Sequence, residues 1–245
     1  MGKLKIEDIT AELINERLRE NLNKQCPVTL YNTFHGVPIN YEAEVAMIHP
    51  HFLGLIVHPY QAVCIKLERR TYLETKSIPT LIRAYPVSID YTNHVVMLKD
   101  MMVPKSITTD LFHSWVAPDK AIDVEISSDD GSELTAPLME IAVLEGNSIR
   151  VVISAPKDIN YARHDDVGLV FRLERGGNLV QVQGEVHSLT KIRKQDGKRM
   201  EVAGKAIMGD EISVLAYIAK REDEIMGTLD KAYQKLRKRK KARKK

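Results

Sequence analysis

Residues 179–187 read LVQVQGEVH, and this stretch decides the fold. Apolar and polar residues alternate along it. The apolar positions are Val180, Val182 and Val186, and the polar positions between them are Gln181, Gln183 and Glu185. Successive side chains of a β-strand point to opposite faces of the sheet. The alternation therefore predicts a strand of an antiparallel sheet with one face in the core and one in solvent.

Five further strand-like segments surround this stretch in the second half of the chain. The six predicted strands are 120–127, 135–143, 147–154, 167–173, 179–189 and 198–208. Hairpin turns are predicted at Gly131, Gly176-Gly177 and Asp196-Gly197. Short strands at this spacing are typical of a small antiparallel barrel or sandwich.

The first half of the chain repeats the pattern. Its predicted strands are 26–31, 41–48, 52–57, 62–68, 81–89 and 94–99, separated by Pro, Gly and Asn residues. Residues 104–118 contain two prolines and little alternation, which predicts a linker between two barrels.

A helix is predicted at each end. Residues 6–22 place apolar side chains at helical spacing, at Ile6, Ile9, Leu13, Ile14, Leu18 and Leu22. This helix either packs on the neighbouring barrel or docks a partner. The second helix starts at Asp210 as N-cap and has an apolar stripe at Leu215, Ile218, Ile225, Leu229 and Tyr233.

The predicted fold is mainly β, with two small antiparallel six-stranded barrels, an N-terminal helix and a long C-terminal helix. The predicted segments are an amphipathic helix at 1–24, a barrel at 25–103, a linker at 104–118, a barrel with its helix at 119–234, and a basic tail at 235–245.

The tail dominates the charge distribution. Nine of its eleven residues are basic, namely Lys235, Arg237, Lys238, Arg239, Lys240, Lys241, Arg243, Lys244 and Lys245. The rest of the chain holds 27 basic and 33 acidic residues, a net charge of about −6. The tail is therefore a candidate surface for an acidic protein or an anionic membrane, or for nucleic acid. A solvated helix extension without a partner is the simpler alternative.

Several classes of function find no support in the sequence. It has no phosphate loop, dinucleotide fingerprint or nucleophile elbow, and we expect no enzymatic activity. No apolar run reaches the roughly 20 residues that span a bilayer, and the N-terminus has no apolar signal core. Cys26 and Cys64 are expected to be buried thiols of a cytoplasmic protein. A metal site at His49 and His51 is a weak alternative to turn histidines.

The order of these segments resembles the PilZ domain family in its YcgR-like, two-barrel form. VAPDKAIDVEI (116–126), VGLVFRL (167–173), LVQVQGEVHSL (179–189) and the segment from 201 to 229 resemble successive parts of a PilZ barrel and its helix. LYNTFHGVPINYEAEVAMI, HPYQAVCIKL and TYLET resemble the N-terminal barrel of the YcgR type.

The resemblance implies cyclic di-GMP as ligand, held by an Arg-x-x-x-Arg in the linker and an Asp-x-Ser-x-x-Gly element on the barrel. Here the two arginine positions correspond to Leu111 and Trp115. Glu140 and Ala142 stand for the Asp and Ser, and Gly146 lies one residue late. Each charge-assisted hydrogen bond contributes roughly 1.5–3 kcal/mol to the binding free energy. These departures from the motif therefore predict a degenerate site that no longer binds cyclic di-GMP.

Three functions remain open. The first is a non-enzymatic regulatory or scaffold protein at the flagellar motor or the cytoplasmic face of the envelope, which contacts partners through Trp115, the N-terminal helix, exposed barrel edges and the tail. The second is a cyclic di-GMP receptor with a divergent site, in which Arg69, Arg70 or Arg83 replaces the missing arginines. The third is a nucleic-acid or ribosome-associated protein that acts through the tail.

Overall fold

The computed structural model describes residues 9–23, 26–107, 109–128, 131–192, 197–207 and 210–243, with side chains at all of these except 21, 22, 109 and 239–243. The described chain forms two compact units. Unit 1 contains the described residues up to Phe34, Pro38–Phe112 and the C-terminal helix from Ile225 onward. Unit 2 contains His35–Val37 and His113–Glu224.

Unit 1 is built on a closed six-stranded barrel. Its strands are β1 (Val28–Phe34), β2 (Val37–His49), β3 (Phe52–Ile56), β4 (Thr71–Thr75), β5 (Ile78–Asp90) and β6 (Val95–Met102). The order around the barrel is β1-β2-β3-β6-β5-β4. Antiparallel pairing of β1 with β4, from Thr29 opposite Glu74 to Tyr31 opposite Tyr72, closes the sheet.

Unit 2 contains a second closed barrel with the same cyclic order. Its strands are β7 (Asp123–Ser128), β8 (Glu133–Val143), β9 (Ile149–Pro156), β10 (Asp166–Phe171), β11 (Val180–Lys191) and β12 (Gly197–Ala206). The order is β10-β11-β12-β9-β8-β7, and β10 pairs with β7 to close the sheet. Val180, Val182 and Val186 are buried while Gln181, Gln183 and Glu185 are exposed. The predicted fold is confirmed.

The closed sheets correct one expectation about partner binding. Each of the twelve described strands has a neighbour on both sides, so none of them lies at the free edge of a sheet. The exposed barrel edges proposed as a partner surface do not exist among these strands, because closure removes sheet edges.

The segment 62–68, predicted as a strand, is helical. Helix α2 spans Pro59–Glu68, with Pro59 in its first turn and His58 as N-cap. The His58 ring nitrogen accepts the Tyr60 backbone N–H at 3.3 Å, and Arg69 ends the helix in the left-handed conformation. Periodicity does not separate a short buried helix from a strand, so the deciding signal was the His-Pro start. The sixth strand of the barrel is β4, which the predicted strands omitted.

Neither Cys26 nor Cys64 forms a disulfide with a described residue. Cys64 lies in α2 and is fully buried, and burial raises the pKa of its thiol to about 12. Cys26 precedes β1 and is only half-buried. The expectation of a buried thiol holds for Cys64 and is wrong for Cys26.

The N-terminal helix packs on the first barrel. Helix α1 spans Ala11–Asn23 and begins there because the Thr10 hydroxyl accepts the Leu13 backbone N–H at 3.3 Å, a side-chain cap. Ile14 and Leu18 are fully buried within the core of unit 1. The apolar face of α1 is therefore used within this unit. The predicted start near Ile6 lies outside the described residues.

The C-terminal helix α3 spans Asp210–Arg243. The carboxylate of Asp210, the first helical residue, accepts the backbone N–H of Gln181 at 2.8 Å, a contact with β11 in place of the predicted cap. Leu215 is 44% exposed while its neighbour Val214 is fully buried, so the predicted stripe is wrong at that position. No described helix is long and apolar enough to cross a membrane.

Two glycines allow β11 and β12 to approach closely. Gly184 lies directly opposite Gly204 in the register. A Cβ atom on Gly204 would lie 2.5 Å from the Gln183 carbonyl oxygen and 2.8 Å from Cγ1 of Val182. The backbone and the packed valine side chain cannot easily move to relieve contacts this short. This strand pair therefore requires glycine at position 204.

We expect Gly204→Ala to lower the free energy of unfolding of the second barrel by about 1–3 kcal/mol, the usual cost of overpacking. The control is Gly227→Ala in α3, where an added Cβ meets nothing within 4 Å. That change should raise stability by about 0.5–1 kcal/mol because glycine disfavours helix. Urea denaturation followed by circular dichroism measures both, and a neutral Gly204→Ala would contradict the close approach.

Candidate functional site

The family-motif positions of the second barrel lie on β8 and the turn that follows it. Glu140 is opposite Val152 on β9, and Ala142 is opposite Arg150. Ala142 is fully buried, so it offers neither a hydroxyl group nor accessible surface to a ligand. Gly146 lies in the β8–β9 turn with φ of +69°, a conformation that glycine adopts without strain.

Two arginines that the sequence analysis missed share this outer face. Arg199 alternates along β12 with the buried Met200, and Arg150 alternates along β9 with the buried Val151. We call Glu140, Ala142, Arg150, Arg199 and Glu201 the motif face. The strand alternation could have placed each arginine outside the barrel, but the distance between β8 and β12 in the chain concealed their proximity to Glu140.

Each arginine of the motif face is paired with a carboxylate. Nη2 of Arg199 lies 2.6 Å from Oε2 of Glu140, and Nη1 of Arg150 lies 3.3 Å from Oε1 of Glu201. The second pair is largely shielded, with side-chain exposures of 19% and 16%. The Ser188 hydroxyl donates to the other oxygen of Glu201 at 3.3 Å. These contacts neutralise both cations from within the protein.

The Trp115 backbone is fixed by hydrogen bonds within unit 2. Its N–H donates to the Gly36 carbonyl oxygen at 2.8 Å. The next residue, Val116, exchanges two 3.0 Å hydrogen bonds with Ile141, the residue between Glu140 and Ala142. The fold therefore brings the chain beside Trp115 to the motif face. The indole Nε1–H is buried and has no acceptor among the described residues.

Leu111, the other family arginine position, belongs to unit 1. It is only 3% exposed and packs with Tyr72 and Leu81. Its carbonyl oxygen accepts a hydrogen bond from Nδ2 of Asn40 at 3.4 Å. An apolar side chain enclosed in this way has no role in binding a phosphate.

The arginines proposed as replacements in the first barrel have contacts within unit 1. The Arg70 guanidinium lies 5.7 Å from the Tyr72 ring centre, and its Nε is 3.9 Å from a Glu68 oxygen. The Arg83 guanidinium lies 5.5 Å from the Tyr85 ring centre. Arg69 serves as the left-handed C-cap of α2.

The helix backbone continues through most of the basic tail. Lys235, Arg237 and Lys238 are exposed on α3. Arg239, Lys240, Lys241 and Arg243 follow on the same helix, and Lys244 and Lys245 lie outside the described residues. The exposed cations extend from a helix segment whose opposite side is packed on unit 1.

Aromatic contacts anchor that segment to the first barrel. Tyr233 is 8% exposed, and its hydroxyl lies 3.0 Å from Nε2 of His94. The Tyr60 hydroxyl donates to Asp230 at 3.2 Å. Leu236, within the predicted tail, packs against the core of unit 1. The first residues of the tail are therefore held by the fold.

His58 lies in the same cluster. Its ring stacks on Tyr41 with centres 3.8 Å apart. Burial, and secondarily the proximity of His94, lowers the pKa of His58 below its usual 6.5. The neutral form is also the one whose ring nitrogen can accept the N-cap hydrogen bond of α2.

The remaining histidine candidates show no ligand geometry. The described residues contain no group of three or more His, Cys, Asp or Glu side chains placed to hold a metal. His49 stacks on Phe52. His164, in the charged turn at 163–166, is exposed and lies 3.7 Å from Glu185, as expected of a solvated loop.

The His58 environment predicts an acid-sensitive unit 1. A histidine pKa that is lower in the folded state means that the unfolded state binds the proton better, so stability falls as pH decreases through 6.5 toward the folded-state pKa. His58→Asn keeps a capping oxygen and removes the titration. Between pH 7 and 5 the wild type should lose stability relative to this variant in urea denaturation, whereas His51→Asn should follow the wild type. Parallel pH profiles for wild type and His58→Asn would refute this role.

Comparisons with known proteins give likeness in structure only. No family model and no curated protein matches the chain. Among solved structures, the inhibitor of motility MotI/DgrA of Bacillus subtilis is 13% identical with a TM-score of 0.40, covering 81% of this chain and 96% of its own. YcgR of Escherichia coli in complex with c-di-GMP is 12% identical with a TM-score of 0.39, covering 91% and 95%. The MrkH–c-di-GMP complex of K. pneumonia is 11% identical with a TM-score of 0.37, covering 92% and 97%. YcgR is the type of protein that the sequence resemblance named.

Proposed function

We propose that this chain is a non-enzymatic, PilZ-like bacterial regulator or scaffold. It binds protein partners and has lost the ability to bind cyclic di-GMP. The observation that carries the proposal is the motif face. Its two guanidinium groups are paired with Glu140 and Glu201. A dianionic ligand would have to displace these carboxylates before it gained either arginine.

The other motif positions favour the same conclusion. Leu111 is enclosed in apolar packing, and Ala142 is fully buried without a hydroxyl group. Glu140 adds a negative charge where a ligand phosphate or guanine edge would be held. Both the missing donors and the added carboxylate weaken binding of an anion.

The first experiment is a calorimetric titration of the purified chain with cyclic di-GMP at moderate salt. Two lost arginine contacts of roughly 1.5–3 kcal/mol each would weaken a micromolar site by about 100- to 10,000-fold. We therefore expect no saturable heat from the wild type at micromolar ligand.

The matched variant is Glu140→Gln with Glu201→Gln, which frees Arg199 and Arg150 without removing side-chain volume. If this variant gains weak, salt-sensitive binding of cyclic di-GMP, the result would support the conclusion that the two carboxylates neutralise Arg199 and Arg150 in the wild type. Saturable binding of cyclic di-GMP by the wild type would refute the proposal that the chain has lost this binding activity.

A divergent cyclic di-GMP receptor is the second candidate, and one observation favours it. Arg150 and Arg199 lie on the same face as the motif positions, so they are better candidates for replacing the linker arginines than Arg69, Arg70 or Arg83. If the wild type binds, Arg150→Gln and Arg199→Gln are the substitutions that should abolish binding.

The partner surface that we propose is the exposed basic side of α3, from Lys235 onward. Its cations match an acidic protein surface, and the resemblance suggests a component of the flagellar motor or of the cytoplasmic face of the envelope. Trp115 is a second candidate contact. Among the residues described, the tail has no aromatic side chain interleaved with its cations, so stacking on single-stranded nucleic acid is disfavoured.

Replacement of Lys235, Arg237 and Lys238 by glutamine tests the tail. This change keeps Leu236 packed, which a truncation at residue 234 would not. We expect cross-linking to purified motor components to fall several-fold while circular dichroism stays unchanged, since each surface charge pair contributes about 0.2–1 kcal/mol. Unchanged cross-linking would exclude this surface. Duplex DNA binding that falls steeply with salt would instead favour the nucleic-acid alternative.

A further inference from the structure

Unit 2 contains a cleft that is separate from the motif face. It has a volume of about 720 Å³ and is formed by residues 119–125, by the end of β10 and the loop to β11, and by one side of α3. A second cleft of about 270 Å³ lies beside it. The two share Leu173, Glu174, Tyr217 and Lys220 as lining residues. The larger volume is within the range of small-molecule sites.

Tyr217 lines both clefts and is only 5% exposed. Its hydroxyl is buried and has no hydrogen-bond partner among the described residues. Burial raises the pKa of this phenol. Buried hydroxyl groups in proteins are nearly always hydrogen-bonded, so this unpaired phenol on the wall of a cleft is available to accept a hydrogen bond from a ligand.

The cations of α3 beside Tyr217 are already paired. Lys220 lies 2.6 Å from a Glu174 oxygen. Arg221 is paired with Glu224, and its Nε donates to the Ala117 carbonyl oxygen at 3.3 Å. An anionic ligand would have to break these pairs and would then lie beside the released carboxylates.

The cleft lining carries five acidic and five basic side chains, so the choice of ligand depends on the charge that acts on the phenol itself. Asp119 lines the cleft, acts electrostatically on both Tyr217 and Lys220, and has no ion pair with a described residue. Asp123 and Glu125 line the same wall. Lys120 and Arg175 also border the cleft as exposed side chains, and the Arg172 guanidinium donates to the Gly177 carbonyl oxygen at 2.7 Å.

The apolar part of the wall fits an aliphatic or flat ligand body. Ile122 and Leu173 line the cleft beside the Tyr217 ring, and Leu179 lines it while remaining 38% exposed. An alkyl chain placed here would cover the exposed part of Leu179.

We propose that this cleft binds a small organic cation, an alkyl ammonium or guanidinium group, with Asp119 as counter-ion and the Tyr217 hydroxyl as hydrogen-bond acceptor. The group could belong to a free amine or to a Lys or Arg side chain of a peptide. The site is independent of the motif face and of the proposed function.

Calorimetric titrations of the full chain with agmatine, and separately with a doubly blocked lysine peptide, test the site and distinguish the two sources. Either probe binding supports the proposal. Loss of the charge-assisted contact in Asp119→Asn should weaken binding by about 10- to 100-fold. Loss of the hydrogen bond from the cation to the hydroxyl in Tyr217→Phe should also weaken it by about 10- to 100-fold, because the donor is charged.

Two control variants match these substitutions. Asp158→Asn removes an exposed carboxylate elsewhere in unit 2, and Tyr91→Phe removes another buried, unpaired phenol, in unit 1. Both should bind like the wild type. The proposal is overturned if neither probe binds at millimolar concentration, if Asp119→Asn binds normally, or if inorganic phosphate binds in place of the cations.

Discussion

One antiparallel pairing closes each sheet, and the rest of the structure depends on it. In the first barrel β1 meets β4, and in the second β7 meets β10 across about 40 residues of chain. Closure gives every described strand two neighbours and fixes which side chains point inward. The tight contact between Gly184 and Gly204 lies within the second closed sheet, where glycine in a strand permits a close approach.

The same constraint determines where recognition can occur. A closed barrel has no free edge to which a partner strand could be added, so recognition must use side chains on the outer surface or the helices. The first barrel uses α1 and α2 to complete its core. The motif face, the basic side of α3 and the cleft beside Tyr217 are three such surfaces among the described residues.

Local patterns in the sequence predicted the strands well where burial alternates. LVQVQGEVH is an example, since its period of two reflects the local geometry of the strand. Prediction failed at 62–68, where four consecutive residues, 62–65, are all buried and the short run has no distinctive period. It failed at Leu215 because one position along a helix rotates a side chain by about 100°. The pairing of Arg199 with Glu140 joins residues 59 positions apart, and such contacts follow only from the register of the folded sheet.

The two thiols and the single indole lie in different units, so the two units can be followed by different probes. Cys26 and Cys64 both belong to unit 1, whereas Trp115, the only tryptophan, belongs to unit 2. Cys64 is sealed within α2, so a thiol reagent reaches it only when the first barrel opens. The rate at which Cys64 is modified therefore reports on the opening of that barrel. When reclosing is fast, this rate depends on the population of the open form. Indole fluorescence follows the chain of unit 2 over the same period, so the native sequence carries a separate reporter for each unit.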